Sequence, residues 1–132
     1  MMRFRVQSQK PQQVIDITGE VNSVLAQSEA GSGICLLFLL HTTAALTLMD
    51  LDPGTDLDLL DALNAMMPEL RYRHPHDPTH VPAHILSAII GPSLLMPVRD
   101  GRLDLGTWQR AVLLEFDGPR TREVSLTVAQ ER

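Results

Sequence analysis

The sequence predicts an α+β fold, with a mainly antiparallel, sandwich-like sheet and two to three helices packed on it. Three observations support this class. Apolar segments with strand character dominate the second half of the chain, three segments carry the apolar period of a helix, and the two types do not alternate as a parallel sheet requires. With 132 residues and 44% hydrophobic content, the chain has enough apolar material for one domain, which we place at residues 1–132.

The N-terminal quarter predicts two short strands and a helix. Phe4 and Val6 alternate with polar neighbours, as in a half-buried strand, and residues 14–17 form a second apolar segment. Thr18 is a capping residue for a helix that continues to about position 28.

The next segment predicts two strands and a longer helix. Residues 34–40 form an unbroken apolar run, which predicts a strand covered on both faces. Strand character resumes over residues 44–49. A helix over residues 57–67 then carries the clearest apolar face and ends at Pro68.

The second half predicts a short helix and a hairpin. Proline is tolerated in the first helical turn and glycine favours the end, so residues 82–90 are expected to be helical. The Asp-Gly pair at positions 100 and 101 separates the apolar runs 94–98 and 103–105. That pattern is a strong hairpin signal.

The C-terminal residues predict a second hairpin. Residues 111–116 and 124–128 are both apolar, and the Asp-Gly-Pro-Arg turn at 117–120 lies between them. We therefore expect these two strands to pair with each other.

Composition excludes several classes of protein. The formal net charge is −5, and Lys10 is the single lysine among the 11 basic residues, so no basic stripe for nucleic acid exists. No apolar run is long enough to span a membrane, and the N-terminus lacks an apolar signal core, which predicts a cytoplasmic protein. Cys35 is the only cysteine and lies in an apolar run, typical of a small buried hydrophobe.

Histidines are the main functional signal. Four of the five lie between positions 74 and 84, at His74, His76, His80 and His84, and His41 follows the long apolar strand. Imidazole offers both a metal ligand and a proton that titrates near neutral pH. We interpret His76 as a solvated loop residue. The pair His80 and His84 is not expected on one helix face, because the predicted helix begins between them.

Two hypotheses fit His41. It is a ligand or general acid/base, with Thr42 and Thr43 beside it, or a hydrogen-bonded core histidine. Asp50 is the carboxylate nearest along the chain at a strand end, and we keep it as a candidate partner. Other nearby aspartates fit turns and helix N-termini.

Two further motifs have both structural and functional readings. Trp108 and Gln109 offer a flat aromatic wall and an amide for an organic ligand, although a lone tryptophan is as readily a core or interface residue. Arg120 follows a turn and offers a guanidinium for an anion, although turn chemistry alone explains its neighbours.

Five motifs together resemble the YjbQ family, also called the secondary thiamine-phosphate synthase family. They are HTTA (41–44), YRH (72–74), PAHILSAIIGPSL (82–94), DGRLDLGTWQ (100–109) and EFDGPR (115–120). The resemblance implies a compact α+β fold, a homotrimer with clefts near subunit boundaries, and a weak thiamine-phosphate synthase activity. That reaction joins a pyrimidine pyrophosphate to a thiazole phosphate and releases pyrophosphate.

The resemblance also implies a site. Positions matching His41, His74 and His84 form one polar cluster suited to a divalent metal or an anion. Many members carry Glu where Asp50 stands here, and the segment around His80 varies, so His80 inherits no role.

The leading hypothesis is thus a trimeric enzyme of the thiamine-phosphate synthase type. Its catalytic residues are His41, Asp50 and His84. A divalent ion, zinc with magnesium as the alternative, is held by His41, His74 and His84. Its phosphorylated substrate is bound by Thr42, Thr43, Trp108, Gln109 and Arg120, and Arg99 or Arg102 also assists pyrophosphate departure.

Two other functions compete with it. One is a metal-dependent hydrolase of a small phosphorylated or carbonyl substrate, which requires Asp50 or Glu115 as base. The other is a non-catalytic trimeric protein whose histidines capture a metal or an anion.

Overall fold

In the computed structural model, residues 1–132 form two antiparallel sheets and three α-helices, which confirms the predicted α+β class. The strands are β1 (Met2–Gln7), β2 (Gln13–Asp16), β3 (Gly33–Leu39), β4 (Ala44–Met49), β5 (Ser93–Arg99), β6 (Arg102–Leu103), β7 (Arg110–Glu115) and β8 (Thr121–Gln130). The helices are α1 (Thr18–Gln27), α2 (Thr55–Met66) and α3 (Val81–Ile90), with a 3₁₀ turn (Pro78–His80) directly before α3.

The two sheets pack face to face. The larger has the strand order β1-β8-β3-β5-β6 and the smaller has the order β2-β7-β4. Alternate residues of β7 show how the layers stack. Ala111 and Leu113 belong to the core between the sheets, whereas Val112 and Leu114 belong to a second core that α2 and α3 cover. The smaller sheet is therefore the middle of three layers, which is why β7 is apolar on both faces.

Helix α1 begins at Thr18, which is a helical residue and not its cap. The Asp16 carboxylate accepts the Thr18 N–H at 3.0 Å. The Thr18 hydroxyl instead accepts the backbone N–H of Ala111 at 2.9 Å and ties the helix to β7. Val21 and Leu25 then reach the core between the sheets.

The prediction of a second hairpin is wrong. Strand β7 pairs with β2 and β4, and β8 pairs with β1 and β3, so the 117–120 turn carries the chain from one sheet to the other. The predicted hairpin across Asp100 and Gly101 is confirmed, because Val98 pairs with Leu103. The two turns differ locally, because Asp100 and Gly101 have the positive φ angles of a two-residue hairpin turn (51° and 79°), whereas no residue of the 117–120 turn does.

The 34–40 segment forms the predicted strand, but one of its faces is open in the single chain. Cys35, Leu37 and Leu39 are buried between the sheets. The alternate side chains are 46%, 38%, 42% and 41% exposed, and we call them the outer apolar stripe: Ile34, Leu36, Phe38 and Leu40. None of the helices is both long and apolar enough to cross a membrane.

We predict that Leu113→Ala lowers the free energy of unfolding by about 2–5 kcal/mol, because it leaves a cavity between the sheets. Leu57→Ala, at a helix position that is 60% exposed, is the matched control, and its cost should stay within about 0.5 kcal/mol. Urea unfolding followed by circular dichroism measures both. Equal costs would contradict the core assignment.

Candidate functional site

A polar cleft of about 730 Å³ opens at one end of the sandwich. Its lining contains three histidines, two arginines and a single apolar residue: Leu40, His41, Thr42, Thr43, His80, His84, Asp117, Pro119, Arg120, Thr121 and Arg122. The cleft therefore brings together five of the predicted site residues, which are His41, Thr42, Thr43, His84 and Arg120.

Three parts of the fold converge on this cleft. Residues 41–43 connect β3 to β4, and residues 117–120 connect β7 to β8, so both connections run from one sheet to the other at the same end. Helix α3 is fixed against the start of β4, where the Ser87 hydroxyl donates to the Ala44 carbonyl at 2.6 Å. His84 lies one helical turn before Ser87 and so faces the same end.

Beneath the cleft lies a buried ion pair between Glu115 and Arg122. Arg122 Nε donates to Glu115 Oε1 at 2.9 Å, and Nη2 bonds the second carboxylate oxygen. Nη2 also donates to the Thr43 hydroxyl at 2.8 Å. Ser8 Oγ and the Asp117 N–H add donors to Glu115, at 2.7 and 3.1 Å. The network therefore links both sheets to both connections.

Glu115 is held as a carboxylate by this network. Burial alone would raise its pKa, but the hydrogen bonds from Arg122 and Ser8 outweigh burial and hold the pKa below the ordinary value of 4.5. Each of its oxygens accepts two hydrogen bonds. A fully engaged carboxylate is a poor base, so Glu115 does not suit the role that the hydrolase hypothesis requires.

Gly118 allows the 117–120 turn to lie directly on this network. A Cβ at this position would come within 2.3 Å of the Lys10 carbonyl oxygen and 2.7 Å of Ser8 Oγ. No side chain fits there, so the glycine is required by close approach.

His41 is oriented by a backbone hydrogen bond. Its Nε2 accepts the N–H of Glu123 at 2.7 Å, which places the proton of the neutral ring on Nδ1. Burial and the neighbouring Arg122 guanidinium lower the pKa of His41 below its ordinary value of 6.5. His41 thus has features of both hypotheses, because it is hydrogen-bonded to the backbone and it also lines the cleft.

His74 stacks on His84, which lines the cleft. The ring centroids are 5.2 Å apart with an interplanar angle of 16°. His74 Nδ1 accepts the N–H groups of His76 and Asp77, at 3.3 and 3.2 Å, so this ring stabilises the loop and does not line the cleft. His84 makes no hydrogen bond within the chain, and its nitrogens are available to a guest.

Asp117, at the cleft wall, is already paired. Arg120 donates to it at 2.9 Å, and His80 Nε2 lies 3.7 Å from its carboxylate and 3.1 Å from that of Asp77. The cleft therefore contains one carboxylate, and two cationic or protonatable groups balance it.

The histidine geometry does not fit a metal ion. A metal-bound imidazole carries its proton on the nitrogen that faces away from the metal. If the free nitrogen of His41 or His74 bound a metal, the other ring nitrogen would have to carry a proton. In both residues, however, that other nitrogen accepts a backbone N–H. In addition, no group of three His, Cys, Asp or Glu side chains is arranged to hold a metal.

The remaining predicted site residues lie elsewhere. Asp50 and His41 flank opposite ends of β4, and Asp50 and Trp108 line a separate small cleft with the Asp16–Arg110 ion pair. The structure thus does not bring Asp50 to His41, because a six-residue strand spans roughly 20 Å. Gln109 closes its own turn by accepting the N–H of Gly106 at 2.8 Å.

Sequence reasoning missed Arg122, His80 and Asp117. A signal for Arg122 exists, since it shares the alternation of Val124 and Leu126, both buried, and so falls on a core face. A charged residue in such a position requires a partner. His80 and Asp117 carry no comparable signal, because their meeting depends on how the 3₁₀ turn docks against the 117–120 turn.

The model of the YjbQ-like UPF0047 proteins matches residues 2–131. The chain belongs to this family. A UPF0047 protein of Archaeoglobus fulgidus is 36% identical over 93% of the chain and 96% of its own length. YugU of Bacillus subtilis is 37% identical, with 90% and 91% covered. YjbQ of Salmonella typhimurium is 39% identical, with 86% and 87% covered.

Solved structures of similar proteins have the same fold. A hypothetical protein of Aeropyrum pernix superposes with a TM-score of 0.90 at 34% identity and covers 98% of both chains. A protein from Sulfolobus solfataricus, described as being of unknown function, gives 0.89 at 31% identity, with 98% and 96% covered. These matches establish the family and the fold, and the chemistry of the cleft has to be argued from its residues.

We predict that His41 titrates below 6.5 and carries its neutral proton on Nδ1, as read from ¹⁵N-edited NMR. As the pH falls below 6.5, the unfolded chain binds a proton at this position more readily than the folded chain does, so the free energy of unfolding falls with the pH. His41→Gln keeps an acceptor for the Glu123 N–H and should flatten that slope. His76→Gln, at an exposed ring, should leave it unchanged. A proton on Nε2 would contradict the hydrogen-bond assignment.

Proposed function

We propose that the cleft binds a small phosphorylated molecule and that the protein is a transferase of the thiamine-phosphate synthase type. The observation that carries the proposal is a cleft whose side chains, Leu40 apart, are polar or proline and include two arginines and three histidines. Guanidinium and imidazole N–H groups are the donors that phosphate oxygens prefer. The volume of about 730 Å³ suits a ligand of small-molecule size.

In the proposed reaction, a bond forms between the two heterocycles while the bond to pyrophosphate breaks. The negative charge that develops on the departing pyrophosphate is stabilised by Arg120 and by the Nδ1–H of His41. His84, whose nitrogens have no partner in the chain, donates a proton to the leaving oxygen when it is protonated. Each of these groups already faces the cleft, so little reorganisation is required.

Nothing in the geometry favours the hydrolase alternative. It requires Asp50 or Glu115 as base, but Asp50 lines another cleft and Glu115 is fully engaged. Asp117, the carboxylate in the cleft lining, is already paired with Arg120 and lies 3.7 Å from His80. Zinc or magnesium at His41, His74 and His84 is a prediction from the sequence that the hydrogen bonds of His41 and His74 do not support, and no step is assigned to a metal. A cytoplasmic location likewise stays a prediction.

His84→Ala should reduce the release of pyrophosphate from a pyrimidine pyrophosphate and a thiazole phosphate by about 100-fold, since it removes the proton donor. His76→Ala is the control, because its ring is exposed and does not line the cleft. A coupled colorimetric assay for phosphate measures both. Turnover unaffected by His84→Ala would contradict this catalytic assignment, and binding without any turnover would support a non-catalytic binding protein.

We propose further that the protein is a homotrimer and that the outer apolar stripe lies in the subunit contact. The stripe exposes three aliphatic residues and a phenylalanine in one row, and Leu95 on the adjacent strand is 63% exposed. Contiguous apolar patches of this kind mark interfaces. Leu40 belongs to both the stripe and the cleft lining, so a neighbouring subunit would lie beside the cleft.

Phe38→Glu should convert the trimer to monomers, because it places a charge in the apolar contact. Multi-angle light scattering after size exclusion gives the mass directly. Ile89→Glu is the matched control, since Ile89 is 73% exposed on α3 and outside the stripe. A wild-type monomer, or a trimer that tolerates Phe38→Glu, would overturn this assignment.

A further inference from the structure

Arg122 has one guanidinium nitrogen that the fold does not use. Nε and Nη2 bond Glu115 and Thr43, whereas Nη1 makes no hydrogen bond within the chain. We propose that Nη1 is the anchor at the cleft floor that binds an oxygen of the ligand's phosphoryl or pyrophosphoryl group. This inference rests on the proposed function and names the chemical group of the ligand that Arg122 binds.

The unused nitrogen is accessible only by way of the cleft. The Arg122 side chain is 3% exposed, yet the chain contains no buried side-chain nitrogen or oxygen without a partner. Nη1 therefore reaches solvent, and Arg122 lines the large polar cleft. The guanidinium is thus almost wholly buried, and the two N–H groups of Nη1 are the part of it left for a partner from the cleft.

The rest of the side chain is held rigidly. Two bonds to the Glu115 carboxylate and one to the Thr43 hydroxyl fix the plane of the guanidinium. Glu115 in turn is saturated by Ser8 and the Asp117 N–H, so it does not compete for the unused N–H groups. A donor whose orientation is fixed before binding loses little entropy when a ligand arrives.

Other donors surround the same space. Arg120 and Thr121 lie beside Arg122 in the cleft lining, and the backbone N–H of Thr42 makes no hydrogen bond within the chain. Asp117 is the one acidic lining residue, and Arg120 and His80 already pair with it. A guest in the cleft therefore meets several donors and one carboxylate that is already paired, which favours a phosphoryl group with several acceptor oxygens over a single carboxylate.

The test measures the binding of inorganic pyrophosphate and of inorganic phosphate by titration calorimetry. Arg122→Lys keeps the positive charge beside Glu115 but removes the forked guanidinium, and we expect at least about tenfold weaker binding of both anions. Arg110→Lys is the matched control. It disturbs a similar two-bonded pair, with Asp16, at a different cleft, and should leave the affinity within about twofold.

A second variant covers the case in which Arg122→Lys fails to fold. Replacement of a buried ion pair by apolar residues of similar volume is often tolerated, so Glu115→Met with Arg122→Met should fold and also bind at least about tenfold more weakly. Thermal melts establish folding in each case. In the wild type, guanidinium ¹⁵N resonances absent from Arg122→Lys should shift on addition of pyrophosphate, a response that a purely structural arginine would not give.

The possible results separate the two claims. If His84→Ala weakens anion binding and the folded Arg122→Lys variant does not, the anchor assignment is overturned and the proposed function stands. Binding that Arg122→Lys loses, without turnover in the synthase assay, would support the anchor and overturn the transferase. Wild-type protein that binds neither anion would overturn both.

Discussion

The fold and the cleft both depend on the buried ion pair between Glu115 and Arg122. The two residues belong to different sheets, at the end of β7 and the beginning of β8. Removing one member of a buried pair costs about 3–5 kcal/mol, because the other charge is left without a partner. The pair is tolerated here because Ser8, Thr43 and the Asp117 N–H complete its hydrogen bonds. A polar network of this kind specifies one arrangement of the sheet ends.

The position of the network explains why the cleft lies at this end of the sandwich. Apolar side chains fill the space between the sheets, and the alternation that buries Val124 and Leu126 also places Arg122 inward. The polar pair takes the last inward positions, where the chain has to cross between sheets. Both crossings, at 41–43 and 117–120, therefore lie over charged groups, and the space above them is polar.

The sequence predicts local structure here better than tertiary pairing. Helix α2 and the hairpin at Asp100 and Gly101 follow from apolar period and turn chemistry, and both are present. The same reasoning gives the wrong pairing for the strands on either side of the 117–120 turn, because a turn signal does not reveal which sheet each strand joins. The strand at 34–40 is predicted correctly. An unbroken apolar run, however, does not say whether another subunit or a layer of the same chain covers the outer face.

The structure likewise brings some of the predicted site residues together and leaves others apart. His41, Thr42, Thr43, His84 and Arg120 reach one cleft, since motifs at strand and helix ends converge when the sheets pack. Asp50 is close to His41 along the chain, but strand β4 lies between them and holds them far apart in space. The sequence places Arg122 on a core face by the alternation of β8, but it does not reveal that the partner is Glu115, seven positions earlier in the chain and in the other sheet.

Hydrogen bonds to the backbone decide what kind of guest the histidines can hold. His41 uses the lone pair of Nε2 for the Glu123 N–H, and His74 uses that of Nδ1 for two N–H groups. The lone pairs that a metal would require are therefore committed to the fold, and the other ring nitrogens are donors. With Arg120 and Nη1 of Arg122 added, the cleft is a site built mainly of donors. These donors support the proposal of a phosphorylated ligand over that of a bound cation.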